Sequence, residues 1–194
     1  MWEVINQWDA NLLLWIQDNL RSELLTPFMK FITTLGNAGM IWIILSIVLV
    51  INRGTRKVGI TCALALLCSL LINNIILKNL IARPRPFVAL KELTLLVRKP
   101  REASFPSGHT ASSFAAATVI LLGSGSKEKG HKIRRLFGVM AIVLAALIAF
   151  SRLYLGCHYP LDVIGGLGSG IACALISMCI VNRIIKDKPS VMGG

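Results

Sequence analysis

Residues 58–77 read VGITCALALLCSLLINNIIL, twenty positions without one Asp, Glu, Lys or Arg, with Lys57 before them and Lys78 after. A helix needs about 20 mostly apolar residues to cross the hydrocarbon core of a bilayer. Only helices and closed barrels satisfy the backbone's polar groups there, and this run lacks the strict alternation of a barrel strand. It reads as a membrane-spanning helix. Four further charge-free runs repeat the signal: Phe31–Asn52, Ala103–Ser126, Leu136–Ser151 and Val163–Asn182. The run at 136–151 is short, and reaches spanning length if Leu153–Leu155 continue it past Arg152. The expected fold is all-α and integral to the membrane, with about five spans near 27–51, 57–80, 108–124, 134–154 and 162–183. One membrane-embedded domain over 1–194 is expected.

The first 22 residues differ. Ile5, Trp8, Leu12, Trp15 and Ile16 fall near helical spacing, while Glu3, Asn6, Gln7, Asp9 and Asp18 are polar. An amphipathic helix lying in the interface fits this pattern, with a partial sixth span as the alternative. There is no basic n-region of the kind a cleaved signal peptide carries.

The chain is 55% hydrophobic and only 15% charged, yet its net charge is +12. That apolar content excludes a disordered chain. It also argues against a soluble nucleic-acid binder, so no nucleic-acid partner is expected. The cations divide by side. With five spans, Arg53, Arg56, Lys57, Lys127, Lys129, Lys132, Arg134, Arg135, Arg183, Lys186 and Lys188 share one face with two acids, Glu128 and Asp187. The positive-inside rule makes that face cytoplasmic. The loops at 52–57 and 124–135 and the C-terminus then lie inside, with His131 a solvated loop residue. The 78–101 loop and the 152–162 turn lie outside.

Three polar clusters remain, all on the outer face. They are Lys78 with Arg83-Pro84-Arg85-Pro86, Pro106-Ser107-Gly108-His109, and Ser151-Arg152 followed by His158 and Asp162. Cations at a membrane edge are costly unless paired or functional, and Glu92, Glu102 and Asp162 are too few to pair them. A bound anion would resolve the imbalance at Lys78, Arg85 and Arg152, since guanidinium and ammonium groups both suit phosphate oxygens. Arg83, Lys91, Arg98, Lys99 and Arg101 read instead as headgroup contacts of a basic loop. Ser107 is a good N-cap, and the N–H groups behind it, exposed by Gly108, favour an anion. Pro160 suits the first position of a helix, which puts His158 just before that helix and Asp162 in its first turn. A carboxylate on one ring nitrogen makes the other a better nucleophile or base, and leaves His109 as a proton donor. Taken singly, the His158–Asp162 pair also fits a structural hydrogen bond or half a metal site, and Pro106-Ser107-Gly108 a simple turn. The polar residues inside the spans, such as Asn73, Asn74, Ser112 and Ser113, read as helix–helix contacts, and Trp42 as a packing or lipid-facing residue. Cys62, Cys68, Cys157, Cys173 and Cys179 show no metal-binding spacing.

At these residues the chain resembles the type 2 phosphatidic acid phosphatase (PAP2) superfamily, whose pattern is Lys-x6-Arg-Pro, Pro-Ser-Gly-His and Ser-Arg-x5-His-x3-Asp. Here it runs Lys78…Arg85-Pro86, Pro106-Ser107-Gly108-His109 and Ser151-Arg152…His158…Asp162. The resemblance implies that His158 attacks phosphorus to form a phosphohistidine and that Asp162 orients His158. His109 would protonate the leaving group and later activate water. Lys78, Arg85, Arg152, Ser107 and the Gly108 N–H would hold the phosphoryl oxygens, with no metal and no cofactor required. The spans argue against the soluble haloperoxidase branch. The resulting expectation is a lipid phosphatase at the outer face of a plasma membrane. It would act on a phosphate monoester or terminal diphosphate such as polyprenyl diphosphate, phosphatidylglycerol phosphate or phosphatidate. The alternative is an anion or lipid transporter with a cationic phosphate site. Oligomeric state is not legible.

Overall fold

A computed structural model describes residues 2–123 and 131–186. The helices are α1 (Trp2–Leu20), α2 (Leu25–Leu35), α3 (Met40–Ile51), α4, α5 (Pro86–Ala89), α6 (Gly108–Leu122), α7 (His131–Tyr154) and α8 (Pro160–Lys186). Helix α4 begins as Arg56–Ser69, widens to a π winding over Leu70–Leu77 and tightens again at Lys78–Ile81. Among the described residues there is no strand.

The exposed surface is apolar in the way lipid demands. On α3, Ile43, Ile44, Ile47, Val48 and Ile51 point outward; on α7, Leu136, Phe137, Met140 and Val143; on α8, Ile164, Leu175, Ile176 and Ile180. A water-soluble monomer does not expose a continuous belt of this kind. Among the described residues, three helices are long and apolar enough to cross a membrane, and α2 with α3 makes a fourth if the bent pair is one span.

Two spans differ from the sequence reading. The stretch expected as a single helix over 27–51 is broken at Asn37–Gly39 and bends by 46°. Ala38 and Gly39 take φ of 51° and 68° there, and glycine accepts that left-handed geometry without steric cost. The fifteen residues of α6 rise only about 22 Å, short of a bilayer core of about 30 Å. Helix α6 is the buried centre, with Ala111, Ala115, Ala116, Ala117 and Val119 almost wholly enclosed by α4, α7 and α8. Small residues allow that proximity. A Cβ on Gly166 or Gly170 of α8 would sit 2.7 Å from Ser107 O or 2.4 Å from Ala111 O, so the two helices meet backbone to backbone. Trp42 packs inside rather than facing lipid, donating to Ser113 Oγ at 2.8 Å.

Residues 131–135, read as part of a loop, form the first turn of α7. The cations at Lys127, Lys129 and Lys188 and the acids Glu128 and Asp187 lie outside the described residues, as does the side chain of His131. Helix α1 packs on α7 and α8. Its Trp8 and Trp15 are exposed while Leu13 and Ile16 are buried, so the tryptophans form an outer face distinct from the packed one. Asp9, read as part of the polar face, is fully buried.

Candidate active site

Helices α4 and α7 end, and α6 and α8 begin, at the same end of the bundle. This alternation gathers the three polar clusters. Lys78, Arg85, Arg152, His109 and His158 line one cavity of about 1260 Å³. The same cavity extends along Ile43 and Ile47 of α3 and Leu66, Leu67 and Leu70 of α4, so a cationic head opens into an apolar wall.

The cations are buried: Lys78 and Arg85 are each 6% exposed and Arg152 is 5%. Lys78 pairs with Glu102, one of the three acids that are too few for all the local cations. Glu102 is held below the usual carboxylate range, chiefly by that hydrogen bond. Arg85 donates from Nε to Glu102 O at 2.8 Å, and from Nη1 to Cys157 O and to His158 Nε2, both at 3.0 Å. Arg152 donates from Nη1 to Thr33 Oγ1 at 2.6 Å, while its buried Nε has no partner among the described residues. Buried donors normally find acceptors, and an anion in the cavity is one that would fit.

His158 lies in the turn joining α7 to α8, and Asp162 in the first turn of α8. Arginine can only donate, so the contact at Nε2 identifies that nitrogen as carrying the lone pair. The proton of the neutral ring is then on Nδ1, which faces Asp162 Oδ2 at 3.5 Å. Burial pushes His158 down to about 3, with Arg85 and Arg152 adding to the shift and Asp162 opposing it. The ring is therefore neutral at pH 7, and its Nε2 lone pair accepts from Arg85 Nη1. Asp162 is fully buried and accepts from the Tyr159 N–H at 2.9 Å, from the Ser104 hydroxyl and, at Oδ1, from Arg83 Nη1 at 2.7 Å.

Ser107 caps α6, its Oγ accepting from the Thr110 N–H and from Thr110 Oγ1 at 2.9 Å. Its own N–H donates to Asp162 O at 2.9 Å, which ties α6 to α8. Asn74 Oδ1 lies 2.8 Å from where a Cβ on Gly108 would sit, which explains glycine there. His109, one residue on, donates from Nε2 to Asn37 Oδ1 at 3.0 Å, and Asn37 is delivered by the α2–α3 break. Among the described residues no three His, Cys, Asp or Glu side chains converge as a metal site.

The sequence profile of the PAP2 superfamily matches residues 58–186. The chain belongs to the PAP2 superfamily. An undecaprenyl-diphosphatase of Sulfolobus acidocaldarius is 33% identical to it over 150 residues, covering 76% of this chain and 68% of that protein. Undecaprenyl-diphosphatase BcrC of Bacillus subtilis is 33% identical over 146 residues, covering 75% and 69%. The crystal structure of Aquifex aeolicus LpxE superposes with a TM-score of 0.72 at 33% identity, over 87% of this chain and 93% of that one. A phosphatidylglycerolphosphate phosphatase from Bacillus subtilis shares the fold, with a TM-score of 0.74 at 24% identity. With these relatives the chain is a membrane phosphatase of the PAP2 superfamily.

Sequence reasoning missed four residues around the PAP2 motif positions. Arg83, assigned to headgroup contact, reaches Asp162 instead, and Asp9 comes to it from α1. Ser104 and Asn37 hold Asp162 and His109. The doubled Arg-Pro was a visible signal for Arg83. Asp9 and Asn37 had none, because their partners lie more than 70 residues away.

Proposed function

We propose that this protein hydrolyses the phosphate monoester or terminal diphosphate of a membrane lipid through a phosphohistidine on His158, at the outer membrane face. The observation that carries the reading is the single cavity with buried cations and histidines at its head and α3–α4 aliphatics along its wall. That shape takes a phosphorylated head and an apolar tail together. The relatives named as undecaprenyl-diphosphatases support a polyprenyl diphosphate as the first substrate to test.

The hydrogen bonds support the following chemistry. Nε2 of His158 carries the lone pair and attacks phosphorus, forming the N–P bond as the P–O bond to the leaving group breaks. Positive charge develops on the ring and Nδ1–H tightens onto Asp162, closing a contact that is long at rest. His109, acting as the imidazolium, gives a proton to the departing oxygen and becomes neutral. In the second step His109 takes a proton from water, whose oxygen attacks phosphorus and releases inorganic phosphate and neutral His158. Lys78, Arg85 and Arg152 hold the phosphoryl oxygens as charge builds in the transition state, joined by the Ser107 hydroxyl and the Gly108 N–H. Arg85 already touches Nε2, so one guanidinium can grip the phosphoryl group beside the attacking nitrogen.

The test is phosphate release by purified protein in detergent over a lipid panel headed by polyprenyl diphosphate, with His158→Ala as the blank. Release from at least one lipid that vanishes in the variant supports the reading; equal release by both refutes it. The outward placement rests on the basic face formed by the 52–57 loop and the N-terminal end of α7. Lys91→Cys should react with an impermeant maleimide added to whole cells, and protection until lysis would reverse the topology.

A further inference from the structure

Arg83 lies two residues before Arg85, yet its guanidinium is engaged away from His158. Nη1 donates to Asp162 Oδ1 at 2.7 Å and Nη2 to Asp9 Oδ2 at 2.6 Å, and both carboxylates are fully buried. The guanidinium plane stands 4.1 Å over the Tyr159 ring, next to the turn that carries His158. The other oxygen of Asp9 accepts the Leu161 N–H at 2.9 Å, a free donor of the first turn of α8. The N-terminal helix therefore reaches the site through one side chain that grips both Arg83 and the start of α8.

We propose that Arg83 and Asp9 are positioning residues, a buried Asp9–Arg83–Asp162 chain that fixes the Asp162 carboxylate so that Oδ2 faces His158 and keeps that carboxylate effectively negative. The inference rests on the reading of His158 as nucleophile and Asp162 as its orienting partner.

Two physical points carry it. The first is direction. A carboxylate rotates about its Cβ–Cγ bond unless both oxygens are held. Arg83 holds Oδ1, and the Tyr159 N–H and Ser104 hydroxyl hold Oδ2. The second is charge. Arg83 alone would neutralise Asp162 in a one-to-one pair and weaken its support for the positive ring formed during attack. Asp9 balances Arg83 from the far side, so the trio carries one net negative charge, and the end nearest His158 is Asp162. A buried cation between two carboxylates satisfies all three, while removing one partner leaves a charge uncompensated.

The test measures kcat and KM for phosphate release in Asp9→Asn, Arg83→Lys, Asp162→Asn and the Asp9→Asn/Asp162→Asn double variant, with His158→Ala as blank and Asp18→Asn as a control on the exposed side of α1. Arg83→Met would strand two buried carboxylates and is avoided. Asp9→Asn keeps the size and the acceptor for Leu161 N–H. Arg83→Lys keeps the charge but cannot reach both acids in the same geometry. Each single variant should lose about tenfold to a hundredfold in kcat, the range of one charged hydrogen bond, with KM held within about threefold. In the Asp162→Asn background Asp9→Asn should change kcat by less than about twofold, because it acts only through Asp162.

A full further loss in that background, matched by lower thermal stability, would make Asp9 merely structural and overturn the proposal. A raised KM with kcat unchanged in Arg83→Lys would place Arg83 on the substrate and overturn it as well. Wild-type kinetics in both single variants, with His158→Ala inactive, would reject the positioning chain and leave the nucleophile standing. Activity in His158→Ala would reject the underlying reading itself.

Discussion

Helix α8 carries four glycines whose surroundings differ, and that difference sets up a test of how packing serves the site. At Gly166 a Cβ would meet Ser107 O at 2.7 Å and Thr110 Cβ at 3.0 Å, whereas at Gly168 nothing lies within 4 Å. Ordinary contact begins at 3.4 Å, so Gly166→Ala forces α6 and α8 apart by about 0.7 Å at the α6 N-terminus. Overpacking of this size costs about 1–3 kcal/mol of stability. The functional cost should be larger in proportion. Ser107 and His109 stand at the start of α6, and His158 and Asp162 in the turn before α8 and its first turn, so the displacement falls between the proposed proton donor and the proposed nucleophile. A misplacement near 1 Å lowers a rate by about a hundredfold, so kcat should fall about tenfold to a hundredfold. Gly168→Ala should leave kcat intact and hold or raise stability, by up to about 1 kcal/mol from helix propensity. Phosphate release and thermal unfolding of the two variants in the same detergent decide it. Equal kinetics in Gly166→Ala and Gly168→Ala would refute the claim that direct α6–α8 backbone contact sets the catalytic geometry.

Other perturbations read single contacts. His158 is neutral in the fold down to about 3 and takes a proton near 6.5 when unfolded, so its contribution is complete above pH 6.5 and is lost as pH falls towards 3. Thermal stability should drop between pH 7 and pH 5, by up to about 1.4 kcal/mol per unit from this group; His158→Gln should flatten that slope, and an unchanged slope would contradict the burial argument. Glu102→Gln takes a carboxylate off Lys78. Because Glu102 is 66% exposed, the pair is screened and KM should fall only about 1.5- to 5-fold, a change that steady-state kinetics at low salt would detect. Trp42→Phe removes the bond to Ser113 inside the bundle and should cost about 1 kcal/mol in unfolding experiments, with kcat unaltered.

How far the fold was legible depends on what kind of signal each residue left. Charge-free runs announced α4, α7 and α8 because lipid penalises every charge along a span. The same signal concealed the α2–α3 break, since Gly36, Asn37 and Gly39 carry no charge and an apolar run reads as continuous whether or not its backbone turns. It also gave no hint that the alanines of α6 serve close packing against α8. In the site, Lys78, Arg85, His109, Arg152 and His158 stood at spacings that chemistry could interpret. Asp9 did not, because an acid in an amphipathic helix looks like a solvated face until the fold supplies Arg83. Glu102 was counted as one acid among too few, when its position in the loop puts it directly on Lys78.

The most direct measurement is a rapid quench of the protein with a lipid labelled at the reacting phosphorus, followed by digestion and identification of the labelled peptide. The account predicts an acid-labile, base-stable label on His158, formed and discharged at rates consistent with turnover, whose discharge slows in His109→Ala. Full turnover with no covalent label, or with the label on another residue, would contradict it.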